Sequence, residues 1–113
     1  MNNKTKIEQL QAEIDLLKKQ EQDKLISKVA PKYVGKFFTC TSSCYMHITE
    51  VKNASTDLSA ISVLANEINI KPLGVSFDFN NYATVNTEYL QEITESEFKR
   101  IALIETSKII EQL

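Results

Sequence analysis

Apolar residues recur at spacings of three and four along the start of the chain. Ile7, Leu10, Ile14 and Leu17 fill the a and d positions of two heptads, with Lys6, Glu8, Gln9, Glu13, Asp15, Lys18 and Lys19 at the other positions. This spacing predicts one long helix over 4–29. Ile at a and Leu at d is the combination that favours a parallel dimer. The next a and d positions are Glu21 and Lys24, so the strict repeat stops there. Leu25, Ile26 and Val29 return out of register. A stutter, or a handover to packing on the body, accounts for the shift. Two isolated heptads barely hold in water, so the helix must pair with a second chain or dock on its own domain. Pro31 predicts the helix end, with Ala30 pushed towards an extended conformation.

The pattern then changes to a period of two. Tyr33 to Cys40 reads as a strand interrupted at Gly35, and Thr41-Ser42-Ser43 as a turn. Tyr45 to Lys52 reads as the next strand. Met46, Ile48 and Glu50 fall on one side, and Tyr45, His47, Thr49 and Val51 on the other. Asn53 to Ser59 is a polar loop. Residues 58–70 fit a helix through Leu58, Ile61, Ala65 and Ile68. They also fit a strand through Ile61, Val63 and Ala65, then Ile68 and Ile70, with a phase slip at Asn66-Glu67. The β-branched residues favour the strand. Val75, Phe77 and Phe79 alternate with Ser76, Asp78 and Asn80, which is the pattern of a half-buried strand. Asn80-Asn81 predicts a turn, and Tyr82 to Asn86 and Tyr89 to Ile93 are weaker extended segments.

A capping box, Thr94-Glu95-Ser96-Glu97, opens a last helix that runs to the C-terminus. Ile93 and Phe98 flank it as a hydrophobic staple. Phe98, Ile101, Ala102, Leu103, Ile104, Ile109, Ile110 and Leu113 cover more than one face of this helix. The expected class is α+β. An N-terminal coiled-coil helix spans 1–30. A small antiparallel sheet or SH3-like barrel of four to six strands, closed by the C-terminal helix, spans 31–113.

Composition narrows the function. The 113 residues are 42% apolar and 25% charged, values of an ordinary folded domain. No apolar run approaches the roughly 18 residues of a membrane span, and MNNKTKIEQL lacks the apolar core of a secretory signal. A cytoplasmic location is therefore expected. Twelve Lys stand against one Arg, the bias of AT-rich coding in a low-GC bacterium or its phage. The net charge is −2, but residues 1–36 carry +3 (eight Lys, five acids) and residues 37–113 carry −5 (five basic, ten acidic). Pro72 to Phe98 holds no Lys or Arg. Asp78, Glu88 and Glu92 in this window are candidates for an acidic surface that meets a basic partner.

Catalytic chemistry has little to build on. Gly35 and Gly74 stand apart, so no phosphate loop forms, and no nucleophile elbow is present. Cys40, Cys44 and His47 give C-x3-C-x2-H without a fourth Cys or His, so no metal is expected. Cys44 and His47 are three apart in a predicted strand, which places them on opposite faces. A non-enzyme without cofactor is expected. The competing reading is a nucleic-acid-binding barrel using Lys32, Tyr33, Lys36 and Tyr45, where aromatics interleave with positive charge.

The short coiled-coil opening, the segment Tyr33-Val34-Gly35-Lys36 and the closing Ile93-Thr94-Glu95-Ser96-Glu97-Phe98 resemble small accessory proteins of phages and prophages of low-GC bacteria. Some proteins of that kind are anti-defence inhibitors, including anti-CRISPR proteins that bind a Cas effector. The resemblance implies protein binding and carries over no functional residue. The expectation is a phage-type inhibitor, homodimeric through Ile7, Leu10, Ile14 and Leu17, that binds a basic host protein such as a Cas effector nuclease. A nucleic-acid-binding barrel and a coiled-coil assembly protein are the alternatives.

Overall fold

The computed structural model describes residues 3–41, 43–72 and 74–111. A helix α1 (Asn3–Tyr33) leads into strands β1 (Phe37–Thr41), β2 (Cys44–Ala54), β3 (Ala60–Lys71) and β4 (Gly74–Asn86). A 3₁₀ turn (Thr87–Tyr89), strand β5 (Gln91–Ile93) and helix α2 (Glu95–Glu111) follow. The strands form one open antiparallel sheet in the order β4-β3-β2-β1-β5. The fold is α+β, with a sheet rather than a closed barrel. Residues 58–59 lie in the loop before β3, and 60–70 are strand.

The helix passes through Pro31 and ends later than its sequence suggests. Proline sacrifices one backbone donor, and here it stands in the last turn, where little helix remains to disrupt. Gly35 is the actual stop. Its φ of +79° is the left-handed conformation that ends helices and that glycine adopts without strain. The chain then pairs at once, with Gly35 N donating to Ile48 O (2.8 Å) and Ile48 N to Lys36 O (3.1 Å). Tyr33 is therefore the end of a helix and β1 starts at Phe37, a correction to the strand expected from Tyr33.

Cross-strand partners share a face of the sheet, so the register sorts the side chains. On one face, Ala54–Ile61–Val85, Val51–Val63–Ala83 and Ile48–Ala65 are consecutive rows, followed by Phe38–Met46–Glu67–Asp78. Leu25, Ile26, Val29, Ala30 and Tyr33 of α1 pack on this core. On the other face lie Phe37–His47, Tyr45–Ile68–Phe77 and Ile70–Val75, approached by Phe98, Ala102 and Ile109 of α2. The sheet thus buries opposite faces at its two ends.

Bulges keep this sorting consistent. Register shifts between Ile48 and Glu50 and between Val51 and Asn53 bring Met46, Ile48, Val51 and Ala54 to the same face. Simple alternation had put Val51 on the side opposite Met46; each extra residue reverses it. In β4 the shift falls opposite Asn66, where Asn80 has φ +53°. Asn tolerates that conformation, and the Asn66 side-chain oxygen accepts from Asn80 N at 3.1 Å. What reads as an Asn80-Asn81 turn is a kink inside one continuous strand.

Gln22 fixes the helix to the body. Its Nε2 donates to Ala54 O (2.9 Å) and its Oε1 accepts from Ala54 N (3.2 Å), so one amide replaces a neighbouring strand. At the far end of the chain, Glu97 N donates to Thr94 Oγ1 (3.1 Å), as the capping box predicts. Gln22→Ala is expected to cost about 1–2 kcal/mol, two part-buried hydrogen bonds. Ile48→Ala, at a fully buried site, is expected to cost about 2–5 kcal/mol. Urea melts of both variants check the ranking.

Candidate functional site

The a and d residues of α1 point into solvent. Ile7 is 65% exposed, Leu10 57%, Ile14 45% and Leu17 64%. They lie on residues 3–21, a stretch of about 28 Å at about 1.5 Å per residue. The helix reaches the body only from Gln22 onward, which gives the molecule a long dimension of 72 Å. The structure brings all four expected dimerisation residues onto one uncovered helical stripe.

A second apolar surface runs along β4. Phe77 and Phe79 share the α2 face with Tyr82, which pairs with Leu64, and Phe79 is 77% exposed. A small apolar recess of about 180 Å³ lies under this strip, between Ile68, Phe77, Phe79 and Phe98. β4 is also an outer strand, 13 residues long, with Asp78 as its one charge. An open strand edge offers unpaired backbone groups to another chain. The alternation at Val75, Phe77 and Phe79 announced the strand, but it suggested that the apolar side was covered. Gln22 carried no signal in a polar run.

The acidic candidates are not one surface. Asp78 and Glu92 lie in the same cross-strand row but on opposite outer strands, roughly 19 Å apart at about 4.8 Å per strand. Asp78 is half-buried, and its Oδ2 accepts from Asn69 Nδ2 (3.2 Å) and Ser76 Oγ (3.4 Å). Between them in the row, buried Glu67 accepts from Asn81 Nδ2. Glu92 stands 3.9 Å from Lys36. Glu88 belongs to the 3₁₀ turn, which is tied to the β2–β3 loop through Thr87 Oγ1 and the carbonyls of Leu58 and Ser59. Acids of α2 sit beside cations of the same helix: Glu95 with Lys99 (2.9 Å) and Glu105 with Lys108 (3.1 Å). Such pairs cancel the local field.

The basic and aromatic candidates also separate. Tyr33 packs on Phe38 (ring centroids 5.4 Å apart) on the α1 face. Tyr45 pairs with Ile68 on the α2 face. Lys32 is exposed in the last turn of α1, and Lys36 faces Glu92. The sheet stands between the two tyrosines, so the four residues do not line one groove.

The two cysteines and the histidine are similarly divided. Cys40 and Cys44 pack at the edge of the α1-side core, while the His47 ring stacks on Phe37 at 4.2 Å on the other side. Burial, with Cys40 and Glu67 adding to it, pushes the Cys44 thiol up to about 12. Deprotonation is what a nucleophile or metal ligand requires, and this site opposes it. No group of three or more His, Cys, Asp or Glu among the described residues is placed to hold a metal ion. No helix among them is long and apolar enough to cross a membrane.

No family model, curated protein or solved structure matches the chain. Cys44 in the folded protein is expected to alkylate slowly at pH 8, because the thiolate is scarce there, and to gain the rate of an ordinary cysteine in urea. Iodoacetamide labelling followed by peptide mass spectrometry measures both rates.

Proposed function

We propose that the protein is a non-enzymatic, protein-binding module that dimerises through α1 and takes a protein partner along β4. The observation that carries this reading is the α1 seam: four regularly spaced aliphatic side chains held on a formed helix and exposed to solvent, ahead of the part that docks on the sheet. Apolar stripes of this kind mark sites where another protein docks. The anchoring of α1 on the sheet also removes the difficulty of a two-heptad coil. The helix is already nucleated by its docked part, so pairing need not supply that cost.

The β4 surface indicates the kind of partner. It combines exposed aromatics on the α2 face with an open backbone edge and no Lys or Arg; Asp78, its one charge, lies on the opposite face. Residues 37–113 keep a net charge of −5. A basic protein fits that surface best, and opposite net charges speed its approach. The likeness to phage accessory proteins makes a basic defence nuclease in the host cytoplasm, such as a Cas effector, the first partner to test.

Replacing Ile14 and Leu17 together by Asp is expected to give a monomer in sedimentation while the circular dichroism of the body persists. A parent chain that sediments as a monomer at every concentration overturns the dimeric reading. Phe79→Ser with Tyr82→Ser is expected to cost about 1–2 kcal/mol, chiefly the hydrogen bonds of the Tyr82 hydroxyl with Ser62 and Asn53, and to leave the fold intact. The same double change should abolish capture of a basic protein that survives nuclease treatment of the lysate. Recovery that vanishes with nuclease in the parent chain would argue instead for nucleic-acid binding.

A further inference from the structure

Resting on the dimeric reading above, we infer that two copies pair through α1 in parallel and in register, with both bodies at the same end of the zipper. The charges that flank the exposed seam set the orientation. With Ile7 and Ile14 at a, and Leu10 and Leu17 at d, the g positions are Lys6, Glu13 and Gln20 and the e positions are Lys4, Gln11 and Lys18. In a parallel dimer each g residue meets the following e residue of the other copy. Glu13 then faces Lys18 of the second copy, and the two-fold axis makes that attraction twice. Lys6 faces neutral Gln11.

The antiparallel alternative reverses the sign. Laying Ile7 against Leu17 of the second copy sets g against g and e against e. Glu13 then meets Glu13, and Lys4 meets Lys18 twice. Among the described residues neither Glu13 nor Lys18 makes an ion pair within its own chain. Five positions separate them, so they are not neighbours on one helix, where contacts run three and four apart. Their complementarity is realised between chains.

The end of the zipper is built into the same helix. The next seam positions, Glu21, Lys24 and Lys28, would oppose their own copies with like charge. That is also where Gln22 and Leu25 turn α1 onto its body. The two helices therefore part after Leu17, and the dimer is a fork with two bodies side by side. A partner presenting two sites is held by both arms at a high effective concentration, without any new contact.

Cysteine cross-linking tests the orientation. Ile7→Cys and Leu17→Cys chains, one carrying a small mass tag, are oxidised separately and as a mixture, with the parent chain as control for Cys40 and Cys44. The expected result is a disulfide-linked dimer from each variant alone. Cross-links that form only between the two variants overturn the parallel arrangement and leave the dimer standing. A parent chain that is monomeric in sedimentation overturns both. Charge exchange gives an independent reading. Glu13→Lys should raise the dimer dissociation constant roughly tenfold, and adding Lys18→Glu should restore it. In an antiparallel dimer Glu13→Lys merely replaces one like-charge pair by another, and an unchanged constant would also overturn the inference.

Discussion

In β3 the buried apolar residues lie at Ile61, Val63 and Ala65, then at Ile68. Strand alternation puts the first three on one face and Ile68 on the other. No single covering layer satisfies both sets. The first set needs a cover at the start of β3, the second a cover at its end on the opposite side. The chain supplies one helix to each. β2 and β4 follow the same division, because their bulges hold the register to β3 on both sides of the change. The polar row between the two cores marks the crossover, with Glu67 and Asp78 side by side and hydrogen-bonded by Asn81, Asn69 and Ser76. Two carboxylates directly opposite each other repel, so these amides and the hydroxyl are what make the row tenable.

From that division follows the placement of α1. The first core needs only a few helical turns, and Leu25, Ile26, Val29, Ala30 and Tyr33 provide them. Everything before Gln22 is surplus to the body. A helix made only of residues 3–21 would be marginal in water. Continuous with a docked segment, it propagates from a formed turn. The body thus acts as the nucleus for the projecting helix, and Gly35 sets where that nucleus ends. The docked stripe and the exposed a and d stripe are neighbours on one helix, since the apolar register shifts between Leu17 and Leu25.

Much of this was legible in the residues. The heptads, the capping box, the class and the alternation of β4 are local patterns, read within a turn or a strand. The apparent phase slip at Asn66-Glu67 was legible too, but its meaning was not. It reads as an irregularity in β3, whereas β3 is regular and its apolar residues change face. Single-residue bulges escape notice because their only trace is a side chain that seems misplaced, as Val51 does. Pro31 and Gly35 competed as helix stops, and position decided. A proline near the end of a helix disrupts little, while a left-handed residue must end it. The acidic window misled because nearness in sequence is not nearness in a sheet: β4 and β5 are its two outer strands.

The treatment of exposed edges separates the surfaces left by accident of size from those left open. β2 runs past β1, and the Gln22 amide covers its backbone at Ala54. β1 is covered by β5, and β5 is only three residues long, too short to template another chain. β4 has none of these protections. It is 13 residues long, carries no lysine or proline, and keeps Phe79 and Tyr82 in solvent. The kink at Asn80 twists it locally without covering it. A part-buried glutamine amide covers the side of β2 that β1 leaves free at Ala54, whereas the outer edge of β4 is left bare, and this contrast supports β4 as the proposed docking edge. In the proposed forked dimer that edge occurs twice, once on each arm.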